Sequence, residues 1–231
     1  MTEANEHKRT LSNMLAARLV PGRFLAAQLR QPTGRFGRWA MTRALNDGNR
    51  ELITSALDAL ELQGSDRFLD VGFGGGLSLR RAAEQTRGAL WGIDFSADMV
   101  AEGQRSLAKL ITAGRLNLIT ADVAALPLRD GAVDAICTTN TIYFWPDLPG
   151  ALAELRRVTA RGGRIALGYS GRAKMQRFDN ITQHGFRMFE PVELEAELKA
   201  AGWSEVRTLS LQGKVTRGDY VTLATHGSQA A

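Results

Sequence analysis

Residues 70–76 form the glycine loop Asp70-Val71-Gly72-Phe73-Gly74-Gly75-Gly76, around which the rest of the chain is organised. The apolar run from Phe68 to Val71 precedes the glycines, and a helical pattern begins at Leu77. Glycine lets a backbone turn sharply and approach a ligand closely, because it has no Cβ. Open α/β sheets bind ligands at such turns, where a parallel strand ends and a helix begins. The glycine loop therefore predicts a ligand-binding turn after the first strand of an α/β domain.

Outside the glycine loop, short apolar runs alternate with longer helical stretches, which is typical of βαβ units and a mostly parallel sheet. Helical spacing is present in residues 49–62, 77–85, 97–111 and 148–159. The last two predicted strands, Ser204 to Leu211 and Asp219 to Thr225, are joined through Gln212-Gly213-Lys214. This spacing is a hairpin signal and predicts an antiparallel final strand. The predicted strands are Phe68 to Val71, Ala89 to Asp94, Leu116 to Ala121, Val133 to Thr138, Arg164 to Tyr169, Ser204 to Leu211 and Asp219 to Thr225.

The spacing of the glycines bears on the kind of ligand. A dinucleotide fingerprint, G-x-G-x-x-G, would need glycine at position 77, where this chain has Leu77. A pyrophosphate prefers neutral amides and a helix N-terminus, whereas the acid Asp70 beside the loop suits a cationic ligand. An amino-acid moiety with an ammonium group, attached to a sulfonium, meets this requirement.

Two further acids follow the next two predicted strands. Asp94 ends the second strand, where a carboxylate can accept hydrogen bonds from both hydroxyls of a ribose. Asp122 follows the third strand and can accept from an adenine amino group, while Val123 or Phe95 packs against the ring. Because Asp70, Asp94 and Asp122 accompany successive strands, we expect them to share one site.

Four stretches of the sequence, taken in order, resemble the class I S-adenosylmethionine-dependent methyltransferases, particularly the ubiquinone/menaquinone-type small-molecule branch. The resemblance spans about residues 50 to 225. The stretches are Leu69 to Gly76, Gly92-Ile93-Asp94-Phe95-Ser96-Ala97-Asp98-Met99, Ala121-Asp122-Val123-Ala124-Ala125-Leu126-Pro127-Leu128, and Asp134-Ala135-Ile136 leading to Gly162-Gly163-Arg164.

This resemblance implies a Rossmann-like α/β fold with a seven-stranded, mostly parallel sheet of order 3-2-1-4-5-7-6, an antiparallel last strand and helices on both faces. It implies S-adenosyl-L-methionine as the cofactor, with Gly72 and Gly74 along the methionine part, Asp94 on the ribose and Asp122 at the adenine. The candidate cofactor residues are Asp70, Gly72, Phe73, Gly74, Gly76, Asp94, Phe95, Met99, Asp122, Val123 and Asn140.

In the resembling enzymes the fourth strand ends beside the transferable methyl group, which here places residues 138–146 at the acceptor. Tyr143-Phe144-Trp145 replaces the histidine-rich version of this stretch, so no histidine base is carried over to it. These aromatic residues can wall an apolar or aromatic acceptor, although Phe144 is expected to pack under the following helix. The candidate acceptor contacts are Tyr143, Trp145, Tyr169 and Trp39, and Tyr143 and His184 are the candidate catalytic residues for proton removal.

The composition excludes several other classes of protein. The chain has 231 residues, of which 44% are apolar, which suits a single filled α/β core. One cysteine and three scattered histidines predict neither a disulfide framework nor a metal site. A membrane span and a signal peptide are absent from the pattern, so we expect a soluble, cytoplasmic protein, at most peripheral to a membrane.

The formal net charge of +5 is concentrated near the N-terminus. Eight Lys or Arg residues and no acids lie between His7 and Asn46. This distribution predicts a basic helical lid over residues 1–48, a methyltransferase domain over residues 49–226, and a disordered tail over residues 227–231. A lid that closes a substrate pocket is favoured over a surface anchor.

The favoured function is transfer of a methyl group from S-adenosylmethionine to a small-molecule acceptor by in-line displacement. Positioning can supply about 7–11 kcal/mol of barrier reduction, whereas a general base adds roughly 10²- to 10⁴-fold in rate. The alternatives are an RNA- or phospholipid-directed methyltransferase anchored through residues 8–43, a nucleotide-binding oxidoreductase, and a cofactor-binding protein without transferase activity. Nucleic acid is not favoured as a partner, peripheral membrane contact through residues 8–43 stays open, and the oligomeric state is open.

Overall fold

The computed structural model describes residues 21–30 and 48–227. Within these residues the first helix, α1, is Gly22–Arg30. The rest of the predicted lid, including Trp39, and nearly all of the predicted tail lie outside the described residues.

The described residues form a seven-stranded sheet with the order β3-β2-β1-β4-β5-β7-β6. Strands β1 to β5 pair in parallel, and β7 runs antiparallel to both β5 and β6. This topology confirms the predicted fold. The strands are β1 Phe68–Val71, β2 Leu90–Asp94, β3 Leu116–Thr120, β4 Val133–Thr139, β5 Thr159–Ser170, β6 Ser204–Ser210 and β7 Asp219–Thr225.

Helices cover both faces of the sheet, and an apolar core fills each face. The predicted helix over residues 97–111 is divided at Leu107, whose buried side chain lies against Gly76 of the glycine loop. The helices are α2 Arg50–Leu60, α3 Leu77–Gln85, α4 Ala97–Ser106, α5 Ala108–Thr112, α6 Leu148–Val158, α7 Arg172–Met175, α8 Asp179–Thr182 and α9 Pro191–Ala200, with 3₁₀ turns at Ile142–Phe144 and Gln176–Phe178. No helix in the described parts of the chain is long and apolar enough to cross a membrane.

Local sequence signals set several of these boundaries. The Ser96 hydroxyl caps α4 by accepting from the N–H of Met99, and the Asp147 carboxylate caps α6 in the same way. Strand β5 begins at Thr159 rather than at the predicted Arg164, because Gly162 and Gly163 exchange backbone hydrogen bonds with His226 and so extend the pairing.

The sheet order determines where a ligand can bind. Strand β1 lies between β2 and β4. The sheet continues outward to β3 on the β2 side and to β5, β7 and β6 on the β4 side. The carboxyl ends of β1 to β4 therefore open onto a common crevice, the usual ligand position in a doubly wound sheet.

Candidate active site

A cavity lies at the carboxyl edge of the sheet, above the ends of β1, β2, β3 and β4. Residues 71–75, 93–95, 99 and 121–123 form one part of it, which we name the cofactor end. Leu29, Arg30, Asn49 and Ile53, together with residues 139–141 and 144–146, form the other part, the acceptor end. All the predicted cofactor residues except Asp70 and Gly76 line the cavity.

The glycine loop takes a conformation that only glycine adopts readily. Gly72, Gly74 and Gly76 have φ values of 71°, 49° and 72°. A Cβ added to Gly72 would also run into the methyl group of Thr141 at the acceptor end. The bare backbone of the loop is therefore what keeps the junction between the two ends of the cavity open.

Asp70, the first residue of this loop, is buried beneath the glycines and does not line the cavity. Burial raises its pKa to about 7, with a smaller increase from the charge of Asp94 and an opposing effect of the Ser78 hydroxyl. One carboxylate oxygen of Asp70, Oδ2, is buried without a hydrogen-bond partner among the described residues. A cation bound against the loop would compensate this charge.

Asp94 lies in the cavity wall at the end of β2. Its Oδ1 accepts from the N–H of Ser96 at 2.9 Å. Burial raises the pKa of Asp94 to about 6, against the opposing effect of the N–H groups of Ser96 and Gly74. The carboxylate is therefore ionised at neutral pH and able to accept hydrogen bonds from a ligand.

The remaining cofactor-end residues suit a flat ring with a polar edge. Asp122 is exposed, and its Oδ1 accepts from the N–H of Ala124 at 2.9 Å. Val123 and Met99 are buried apolar residues, and Phe95 is 44% exposed at the rim. These features fit the chemistry of S-adenosylmethionine. The glycine loop with the buried Asp70 suits the charged amino-acid part, Asp94 suits the ribose diol, and Asp122 beside apolar side chains suits the adenine ring.

The predicted acceptor residues divide into two groups. Trp145 lines the cavity, and so does Phe144, which was expected to pack only beneath the next helix. Phe144 also packs against Phe186 with 4.6 Å between ring centroids. Tyr169 lies outside the cavity, fully buried, with its hydroxyl 3.2 Å from the Thr222 hydroxyl, and burial raises its pKa to about 12.

The two predicted catalytic residues also lie outside the cavity wall. Tyr143 is buried behind it, where its hydroxyl accepts from the N–H of Ser170 at 2.6 Å and donates to Asn140 Oδ1 at 2.8 Å. Burial raises the pKa of Tyr143 far above its usual range. His184 is exposed in the turn after α8. The geometry brings neither side chain to the cavity.

Sequence reasoning did not identify the acceptor-end residues from the N-terminal side, Leu29, Arg30, Asn49 and Ile53. Asn140 Nδ2 donates to Asn49 Oδ1 at 2.9 Å, although the two residues are 91 positions apart. No local motif marks such a contact. The unusual absence of acids around Arg30 is the only sequence signal near these residues.

A protein-family profile described as a methyltransferase domain matches residues 69–167, from β1 to the middle of β5. This match identifies residues 69–167 as a methyltransferase domain. The matched residues contain the glycine loop, Asp94, Asp122 and the segment after β4, which supports the predicted resemblance and S-adenosylmethionine as the cofactor.

The chain is similar to several proteins that are named as methyltransferases. It is 38% identical over 106 residues to the malonyl-[acyl-carrier protein] O-methyltransferase of Geobacter sulfurreducens, covering 46% of this chain and 39% of that protein. It is 26% identical over 186 residues to the demethylmenaquinone methyltransferase of Mycolicibacterium vanbaalenii, covering 68% and 77%.

Among solved structures, the chain is similar to a chain in the complex between the Haloferax volcanii Trm112 methyltransferase activator and a methyltransferase. The TM-score is 0.72 at 18% identity, over 80% of this chain and 93% of that chain, which supports the fold. The chain spans less than half the length of the first curated relatives that it matches.

Proposed function

We propose that this chain transfers a methyl group from S-adenosylmethionine to a small-molecule acceptor by in-line displacement, chiefly through positioning. The main support is that one cavity runs from Asp94 at the cofactor end to an acceptor end with apolar walls. Relatives named as methyltransferases of malonyl-[acyl-carrier protein] and of demethylmenaquinone support a small organic group as the acceptor.

The cofactor-end residues bind and orient. Asp94 accepts from the ribose hydroxyls, and the oxygen of Asp122 that Ala124 does not occupy accepts from the adenine amino group. Phe95 and Val123 pack against the ring. When bound, S-adenosylmethionine supplies an electrophilic methyl group on a positively charged sulfur.

The acceptor-end residues hold the acceptor and exclude water. Leu29, Ile53, Phe144 and Trp145 provide apolar walls. Holding two reactants in line can lower the barrier by about 7–11 kcal/mol without any proton transfer. Tyr143 serves this arrangement from behind the wall, because it fixes Asn140 and is too buried to remove a proton itself. A catalytic role for His184 stays a prediction.

Several predictions concern residues 1–20 and 31–47, outside the described residues. A lid over the acceptor, the domain boundary near residue 48, peripheral membrane contact and a cytoplasmic location stay predictions. The RNA- or phospholipid-directed alternative predicts association that weakens steeply with salt and is lost on deletion of residues 8–43. The family match favours methyl transfer over nucleotide-dependent oxidoreduction.

Calorimetry with S-adenosylmethionine, S-adenosylhomocysteine, NADH and NADPH tests the proposal. We expect saturable binding of the first two ligands only. An exposed acid on α2, outside the cavity, gives a matched control: Asp94→Asn should weaken binding and Asp58→Asn should not. Binding of NADH or NADPH without binding of the sulfur ligands would contradict the proposal.

A further inference from the structure

We propose that the acceptor is an organic anion with an oxygen that is already ionised, a carboxylate or an acidic enolate on an apolar or aromatic body, and that Arg30 and Asn49 bind this oxygen. The proposal rests on the methyl transfer proposed above and concerns the acceptor end of the same cavity. It is supported by the charge of this end, by a chain of hydrogen bonds that orients Asn49, and by the chemistry of the step.

The charge at the acceptor end comes from Arg30. Among the described residues that line the cavity, the ionisable side chains are Arg30, Asp94 and Asp122, and both acids lie at the cofactor end. Arg30 is the last residue of α1 and forms no ion pair with another described residue. The described part of the acceptor end therefore presents the guanidinium of Arg30, which attracts an anion and repels a cation.

Hydrogen bonds fix the orientation of the neighbouring amides. The N–H of Ser170 donates to the Tyr143 hydroxyl at 2.6 Å, and this hydroxyl donates to Asn140 Oδ1 at 2.8 Å. With its oxygen engaged, Asn140 uses its amino group to donate to Asn49 Oδ1 at 2.9 Å. The oxygen of Asn49 is thus occupied, and its amino group is the part left to donate to a ligand.

The position of Asn49 shows that its side chain is not used to cap the helix. It is the N-cap residue of α2, where an Asn oxygen normally accepts from an N–H in the first helical turn. Here no such bond forms, because the oxygen accepts from Asn140 instead. Asn49 therefore contributes to the cavity wall at the expense of the helix cap, next to the positive charge of Arg30.

An ionised oxygen also suits an acceptor end whose described residues include no base. At the acceptor end, the described residues include no His, Cys, Lys, Glu, Asp or Tyr. A lone pair of the ionised oxygen forms the O–C bond to the methyl group, while the C–S bond breaks and its electron pair moves to sulfur. A negative oxygen and a positive sulfonium thus become a neutral ester or ether and a neutral thioether, and no proton is released. Apolar walls favour such a loss of charge.

Two probes of matched shape test this inference. The full chain, saturated with S-adenosylhomocysteine, is titrated at pH 8 with 2-naphthoate and with neutral 2-naphthalenemethanol. We expect 2-naphthoate to bind about tenfold more tightly or better, since a hydrogen bond to a charged group is worth about that factor. Arg30→Gln should weaken 2-naphthoate binding about three- to tenfold and leave the alcohol unaffected.

Asn49→Asp is the sharper variant. Aspartate keeps an oxygen for Asn140 and remains a good N-cap residue, but it replaces the free amino group by a second oxygen that repels an anion. Binding of 2-naphthoate should fall about tenfold or more, while binding of 2-naphthalenemethanol changes less than about twofold. Arg23→Gln, an exposed position on α1 outside the cavity, is the control and should change neither.

The outcomes separate this inference from the proposed function. If S-adenosylhomocysteine does not bind, the proposed function fails and the inference with it. If it binds but the two probes bind equally, if neither probe binds, or if Asn49→Asp leaves 2-naphthoate binding intact, the inference alone is overturned.

Discussion

Binding of S-adenosylhomocysteine should weaken as the pH falls from 8 to 5, because Asp94 and Asp70 both take up protons in this range. This carboxylate is buried, with a pKa of about 6. Ribose hydroxyls donate to it, so the ligand binds the ionised form. At pH 8 about one molecule in a hundred has Asp94 protonated, and at pH 5 about ten in eleven do. The affinity should therefore fall about tenfold from Asp94 alone.

Asp70 strengthens the same trend. Its pKa is about 7, and it lies beneath the glycine loop, where a ligand ammonium would favour its charge. If the ligand fully requires that charge, protonation at pH 5 weakens binding by up to about another hundredfold. Both raised pKa values act in the same direction, so affinity rises with pH and levels off above about pH 7 to 8.

Calorimetric titrations at half-unit intervals between pH 5 and 8 measure this dependence. Asp94→Asn should bind more weakly at pH 8 and lose the part of the change centred near pH 6. Asp58→Asn should follow the unmodified chain at every pH. A constant affinity across this range, or an Asp94→Asn variant with an unaltered pH profile, would refute the assignment of Asp94 to the ribose.

Three further variants have expected outcomes. Gly72→Ala places a Cβ against the Thr141 methyl at a φ of 71°. It should therefore abolish S-adenosylhomocysteine binding in calorimetry and lower the free energy of unfolding by about 1–2 kcal/mol. Unchanged binding would show that the loop is not the cofactor site. The free energy of unfolding of the unmodified chain, measured with urea, should rise by about 2 kcal/mol or more from pH 8 to pH 5, because the raised pKa of Asp70 means that the native state binds more protons than the unfolded chain. Asp70→Asn should remove most of this rise. A rise that persists in the variant would place its origin elsewhere. Tyr143→Phe removes the hydroxyl that accepts a hydrogen bond from the N–H of Ser170, so it should lower the free energy of unfolding by about 1–3 kcal/mol. It should also raise the KM for the methyl acceptor more than it lowers kcat. A large loss of kcat at unchanged KM would instead support Tyr143 as a catalytic residue.

The cofactor end could be predicted from the sequence because its residues are fixed by local rules. A strand end followed by a glycine loop places Gly72 and Gly74, and the carboxyl ends of the next two strands place Asp94 and Asp122. Parallel strands align these ends at one edge of the sheet, so residues far apart in sequence meet without any knowledge of packing. The sheet order was predicted from the family resemblance and not from these local rules.

The acceptor end depends on tertiary contacts that no periodicity encodes. The hydrogen bond from Asn140 to Asn49 requires α2 to pack beside β4, and the position of Arg30 requires α1 to lie at the acceptor end of the cavity. The sequence marks the aromatic residues after β4 as a group, and Phe144 and Trp145 of this group line the cavity. Their individual directions were not predictable, since Phe144 faces the cavity and Tyr143 faces the core.

The most direct test of methyl transfer to a small molecule follows the methyl group itself. The chain is incubated with methyl-labelled S-adenosylmethionine and with the low-molecular-mass, RNA and lipid fractions of a cell extract, each in turn. We predict that label enters a compound of the low-molecular-mass fraction, and that Gly72→Ala abolishes the incorporation. Incorporation into RNA or lipid instead, or no transfer to any fraction by a chain that binds S-adenosylhomocysteine, would contradict the account.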